Sequence, residues 1–386
     1  MNSNAETPAP AEQLAPSERP APSAAPWWSQ HRRRLAGVQE LGLIGVIVLL
    51  VALLTALGGT VERRIRDPQT GQEFLVVKNK FLNVDRLLTL AKNTSFFAIM
   101  AIGATLVIVT GGIDLSVAGT YVLSGLAGAA VLHHYGPAGP GAGLSGAIIV
   151  PLTVLVCVGT GAFCGLLNGA GVVWLRLHPF LITLGTMGIY RGLAFVTTRA
   201  QSIGQFHPAF VDGFISRRFD VGDHEFIYPV PLAFLLLMTL WGSYFLSGTV
   251  TGRKLLAIGG NETAARYAGL PIASLKVVTY LLCGVTAGIA ACINIGYHGS
   301  AASGDGAGYE LEVIAAAVVG GASLSGGRGT ALGAVLGALI IRLIVDGIVI
   351  LELDQNYSQI IVGSVIVAAA TLDRLQQDWR ARQSNR

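Results

Sequence analysis

Apolar runs close to 20 residues long recur from Leu41 to Leu372, and no other feature constrains the fold as much. A helix needs ~20 apolar residues to cross ~30 Å of hydrocarbon, and its backbone satisfies its own polar groups where no water is available. Charged residues make up 12% of the 386-residue chain, about half the ~25% usual in soluble domains. The expected fold class is therefore an all-α polytopic membrane protein with about ten transmembrane helices in a compact bundle. The spans are expected at 41–59, 94–110, 115–133, 146–168, 179–197, 229–247, 272–294, 309–324, 330–350 and 357–372. Three domains follow: a disordered cytoplasmic tail over 1–35, a transmembrane body over 36–373 and a cytoplasmic tail over 374–386.

Basic residues orient the spans, because loops rich in Lys and Arg stay in the cytoplasm. Arg176, Arg253, Lys254, Arg266, Lys276 and Arg328 fall in loops on one side, together with the basic C-terminus. The loops at 134–145 and 295–308 carry neither Lys nor Arg. Both termini are thus expected inside. The segment 60–92 runs against the rule: it is placed outside although its net charge is positive. The first run, Leu41 to Gly59, is longer than the ~7–15 apolar residues of a secretion signal and no A-x-A site follows, so it reads as an uncleaved span.

Several chemistries are disfavoured. The basic residues form no aromatic-interleaved patch, so nucleic acid is not an expected partner. Cys157, Cys164, Cys283 and Cys292 lie inside apolar segments without C-x-x-C spacing, and the histidines form no H-E-x-x-H cluster. No metal, cofactor or catalytic residue is expected. Glycine, at 50 residues, is about twice as frequent as usual. Gly161, Gly165 and Gly169 recur every fourth residue, as do Gly284 with Gly288 and Gly333 with Gly337, a spacing that lets helices approach closely in lipid.

Three polar interruptions stand out. In Thr110 to Gly119 two glycines break an apolar run ahead of Asp114 and Ser116. An acid at such a place either caps the next helix or lies at the path or gate of a transported solute. Asn168 ends the fourth span, and Thr183 and Thr186 share one side of the fifth; these groups either face a sugar-sized path or bond to neighbouring helices. The segment 251–271 is the longest polar stretch between late spans. There Asn261 can cap a short helix holding Glu262, Ala264, Ala265 and Arg266, Gly269 can end it, and Pro271 can start the next. Gly259 and Gly260 are expected to let the backbone turn sharply out of the preceding span. Within the spans, Arg342 and Asp346 are expected to satisfy each other at i, i+4.

Leu324-Ser325-Gly326-Gly327-Arg328 comes within one residue of the L-S-G-G-Q signature of ATP-binding cassettes. A cassette needs a G-x-x-x-x-G-K-[ST] loop to hold phosphates, and this chain has none. The string is flanked by apolar runs and is expected to be a glycine-rich turn between spans.

With those residues in view, the chain resembles the permease subunits of bacterial ABC importers for monosaccharides, the ribose/xylose-type branch. Thr110 to Gly119, Pro179 to Thr186, Ala257 to Leu270 and Tyr309 to Gly329 carry the likeness, which runs from about Phe81 to Asp373. Ala118 departs from it, standing where the family usually has glycine, and the segment 61–80 is longer than in relatives. The resemblance implies an inner-membrane permease of the ABC importer type, a second permease copy, two separate ABC ATPase subunits on the cytoplasmic face and a periplasmic sugar-binding protein outside. It also implies that Gly259, Gly260, Asn261, Glu262, Ala264, Ala265 and Arg266 belong to the ATPase-coupling segment. The rival class is an ion-coupled secondary transporter or channel for a small neutral solute. Such a protein needs intramembrane carboxylates, for which Asp114 and Asp346 are the candidates. A membrane-embedded enzyme would need a nucleophile and base pair that the chain lacks.

Overall fold

The computed structural model describes residues 27–66, 73–217, 219–221, 224–227 and 229–384. The expected tail over 1–35 lies outside them up to residue 26, and from Trp27 the backbone is helical. Helix α1 spans Trp27–Leu57, and a two-stranded antiparallel hairpin follows, β1 (Thr60–Arg66) paired with β2 (Glu73–Asn79). Then come α2 (Val84–Ile108), α3 (Val117–His134), α4 (Gly146–Trp174) and α5 (Pro179–Thr198). The single turn α6 (Pro208–Phe210) leads into a π-helical turn and a second small hairpin, β3 (Phe219–Val221) with β4 (His224–Ile227). The rest is α7 (Pro229–Gly248), α8 (Val250–Gly260), α9 (Glu262–Tyr267), α10 (Ile272–His298), α11 (Tyr309–Val319), α12 (Ala331–Ile350) and α13 (Tyr357–Ser384).

The protein is an all-α polytopic membrane protein. Among the described residues, eight helices are long and apolar enough to cross a bilayer: α2, α4, α5, α7, α10 and α12 whole, and residues 40–57 and 357–375 of α1 and α13. Two expected spans fall outside this group. Helix α3 keeps its expected place and length but is less apolar, with His133 and His134 in its last turn, whereas α11 has only 11 residues, which is about 16 Å of helix and half a crossing. Hydropathy alone cannot reveal this, because a half-helix and the glycine-rich turn after it read as one apolar run.

Helices α2 and α10 are the centre of the body, with most of their span buried, whereas α1 and α13 bury almost none of theirs and leave apolar faces outward. The expected glycine seams form. A Cβ on Gly161 or Gly284 would run into the backbone of the other's helix, and Gly165 and Gly288 meet the same seam between α4 and α10. Gly333 and Gly337 of α12 sit equally close to Gly320 and Ala316 at the end of α11. Lipid tails are as apolar as side chains, so contact of this kind is the main source of helix association.

Helix α2 begins ten residues before the expected boundary. Asn83 caps it by accepting from Arg86 N at 2.9 Å, with Asp85 in the first turn. Arg86 and Lys92 therefore belong to the helix, and the segment outside it is the hairpin.

Candidate functional site

Helices α8 and α9 form a capped elbow at one end of the bundle. Thr249 Oγ1 accepts from Gly252 N at 3.0 Å and starts α8, whose Leu255 and Ile258 are buried with Leu106, Leu246 and Leu275. Asn261 then takes an extended conformation, and its side chain accepts from Ala264 N at 2.9 Å to start α9. Gly269 ends the turn in the left-handed conformation, with φ +74°, and Leu270 N returns to Ala265 O. Glu262 accepts from Arg266 at 3.0 Å and from Lys276 at 2.7 Å. The Lys276 ammonium, opposed by partial burial and helped by Arg266, holds the Glu262 carboxyl below its ordinary range. Ala265 faces inward, while Ala264, Arg266 and Tyr267 are exposed.

One expectation about this elbow changes. Residues 257–260 end α8, and the short helix runs from Glu262 to Tyr267, between Asn261 and Gly269. Gly259 and Gly260 are helical, and the chain turns at Asn261. Gly259 answers to packing: a Cβ there would lie 2.9 Å from the carbonyl carbon of Val109 and closer still to its oxygen and to Gly327 N. A Cβ on Gly260 would point into open space, although its own backbone lies against Gly327.

What packs on Gly259 is the Leu324 to Arg328 string, together with the end of α2. Gly326 and Gly327 are both left-handed, and Gly327 N donates to Val109 O at 2.9 Å. A Cβ on Gly326 would lie 2.8 Å from Gly259 Cα and 3.0 Å from Gly111 N. Three glycine pairs, at 111–112, 259–260 and 326–327, thus meet at one junction. Asp373 of α13 tethers the turn, accepting from Ser323 Oγ at 2.9 Å and from Arg328 Nη2 at 3.0 Å. The string is a tight turn in a membrane bundle, as expected from its sequence.

A second polar cluster holds the break between α2 and α3. Helix α2 ends at left-handed Gly111, with Gly112 N bonded to Val107 O. Helix α11 ends the same way at Gly321. After the first break Asp114 Oδ1 accepts from Ser116 N at 2.9 Å and from Ser116 Oγ at 2.7 Å. Asn168 Nδ2 donates to Ser116 Oγ at 2.6 Å, and Tyr190 OH donates to Asn168 Oδ1 at 3.3 Å and to Cys164 O at 3.0 Å. Thr183 Oγ1 reaches Ile113 O at 3.3 Å, whereas Thr186 bonds only within α5. Asp114, Ser116, Asn168 and Thr183 are all buried, and the first three, with Tyr190, form one network joining α3, α4 and α5.

A third group, of charged residues within the spans, pairs differently from the expectation. Arg342 does not pair with Asp346: it bonds Glu312 of α11 at 3.1 Å and lies over the Phe97 ring, while Asp346 is held by Arg86 of α2 through Nε at 3.0 Å and a second contact through Nη2. Residues at i, i+4 are neighbours, but partners on other helices compete for them. Arg191 of α5 bonds Glu310 of α11 at 3.0 Å and Gly306 O at 2.9 Å. Glu310, Glu312 and Asp346 are thus each paired with an arginine. Among the described residues no group of His, Cys, Asp and Glu has the arrangement of a metal site, and all four cysteines are free and buried.

Residues 86–370 match the family model described as branched-chain amino acid transport system / permease component. The chain is 32% identical to the D-allose transport system permease protein of Escherichia coli K12 over 76% of its own length and 85% of the relative's. It is 33% identical to the ribose import permease protein of the same strain, over 77% and 88%. It is 32% identical to the autoinducer 2 import system permease protein of Photorhabdus luminescens, over 81% and 92%. The chain belongs to this family of membrane permeases.

Proposed function

We propose that this member of the permease family is the transmembrane subunit of an ATP-driven importer that moves a monosaccharide across the bacterial inner membrane. The α8–α9 elbow is the cytoplasmic end, where separate ABC ATPase subunits dock, and both termini lie on that side. A periplasmic sugar-binding protein meets the opposite end, a second copy of the chain completes the path, and lipid covers the outward faces of α1 and α13. The chain itself carries out no chemistry. Residues 36–373 are the permease body, and 1–35 and 374–386 are its cytoplasmic tails.

One observation carries the reading: α9, exposed on one face, packs by the other on α8, which meets both helix breaks at once. Gly259 touches the end of α2 and the turn after α11. A push on α9 therefore reaches Gly111 and Gly326 through Ala265, which is buried with Leu255 and Ile258 of α8. Asp114, Ser116, Asn168 and Thr183 then act at the gate by holding the first break in shape, with Thr186 one turn along α5.

The test is copurification and hydrolysis. The chain expressed with its cognate ATPase subunits is expected to copurify with them, and the chain alone is expected neither to bind nor to hydrolyse ATP. Saturable ATP binding by the isolated chain, or no association with an ATPase, overturns the assignment.

A further inference from the structure

Intramembrane charges require water, a partner or both. Arg191 stands 12 residues after the start of α5, about 18 Å from the elbow end. Tyr309 and Glu310 open α11, about 15 Å from the same end. The Arg191–Glu310 pair therefore sits near mid-membrane, at the tip of the half-helix. It is not sealed in: the side chains are 22% and 16% exposed. The ground beside it is open as well. An added Cβ on Gly188 or Gly192, either side of Arg191 on α5, meets nothing within 4 Å, and Leu311 is 52% exposed. Both hydrogen bonds of Arg191 come from Nη2, and its Nε has no partner. A charged pair partly open on this surface is costly against lipid and natural against water.

The chemistry of the tip fits a polyhydroxylated neutral solute. Guanidinium and carboxylate groups donate to and accept from hydroxyls in one plane. Tyr309, tilted between the rings of Phe97 and Tyr121 with centres 4.5 and 5.8 Å away, adds an aromatic body behind them. On the importer reading above, we propose that Arg191 and Glu310 form a polar rung in the aqueous path, where they contact the hydroxyls of the sugar as it passes mid-membrane. The rung helps decide which sugars cross fastest once the binding protein has delivered them.

Two measurements on the assembled importer in proteoliposomes test this. The first is modification by a charged, membrane-impermeant thiosulfonate, with wild type as background because its own cysteines are buried. Gly188→Cys and Leu311→Cys are expected to react, whereas Leu236→Cys, on the apolar outward face of α7, is not. Failure of both path positions to react places this face in lipid and overturns the rung. The second is maximal uptake velocity of D-ribose, D-allose and 2-deoxy-D-ribose at saturating binding protein. Glu310→Gln and Arg191→Lys are expected to change the velocity ratios between these sugars about fivefold or more, on the scale of one charge-assisted hydrogen bond. The double exchange Arg191→Glu with Glu310→Arg restores the pair but not the ratios. A purely structural clamp would lower every velocity alike and recover in the double exchange, which overturns the proposal. Uptake of none of these sugars by wild type removes the sugar reading and the rung together; wild-type uptake with unaltered ratios in the variants removes the rung alone.

Discussion

Gly259 and Gly260 are adjacent, equally helical and chemically identical, yet alanine should affect them very differently. At Gly259 the new Cβ would lie 2.9 Å from the carbonyl carbon of Val109, some 0.5 Å or more inside ordinary contact, and closer still to Gly327 N. All of these atoms are backbone, so no rotamer change relieves the overlap. Either α8 moves off the end of α2 or the Gly326–Gly327 turn moves off α8. Overpacking of this kind costs about 1–3 kcal/mol, which reduces the population of the docked junction roughly 5- to 150-fold. A Cβ added at Gly260 would meet nothing within 4 Å, and alanine is the better helix former. The assay is ATP hydrolysed per sugar imported in proteoliposomes, with thermal unfolding of the complex in detergent alongside. Gly259→Ala should raise the ATP consumed per sugar and lower the unfolding temperature, while Gly260→Ala should leave both close to wild type. Equal behaviour of the two variants would refute the claim that this glycine contact carries the coupling.

Other outcomes follow from the same geometry. Asp114→Leu removes both acceptor bonds to Ser116 and leaves a buried backbone N–H unpaired, so it should cost about 1–3 kcal/mol of stability and lower uptake; full transport with an unchanged melting profile would count against any role for that carboxylate. Asp373→Asn should loosen the 323–328 turn, seen as faster backbone amide exchange at Gly326 and Gly327, with membrane insertion intact. The Glu262 carboxyl is lowered in the folded protein, so its contribution is fully present above the ordinary carboxylate range and is lost as pH falls through the lowered value. ATPase docking through α9 should therefore be level from pH 8 to about pH 5.5, and an earlier loss that Glu262→Gln abolishes would contradict the pairing with Lys276.

The sequence revealed those parts of the molecule whose physics is local or periodic. Gly161, Gly284 and Gly333 could be assigned to seams because fourth-residue glycines in an apolar run have few other uses. Asn261, Gly269 and Pro271 bracketed α9 because caps act within three residues. What depends on partners distant in the chain was not visible. Arg342 and Asp346 stand one turn apart, and only the packing of α2 and α11 shows that each has a partner elsewhere. Arg86 and Lys92 hid the start of α2 by interrupting its apolar signal, although Asn83 followed by Asp85 marked the cap. Glu310, Glu312 and Arg191 went unnoticed inside long apolar runs, and the half-length of α11 went with them. One signal was available: Gly-Gly-x-x-Leu-Ser occurs at 111–116 and again at 320–325, at the two helix breaks.

The central claim is that ATP hydrolysed on partner subunits drives sugar through this chain by way of the α8–α9 elbow. It is tested most directly in proteoliposomes holding the permease, its ATPase subunits and the loaded binding protein, with sugar accumulation followed as nucleotide and ion gradients are varied separately. Accumulation should require Mg-ATP on the elbow side, persist when proton and sodium gradients are collapsed, and stop when hydrolysis is blocked. Accumulation driven by an ion gradient without ATP would contradict the account.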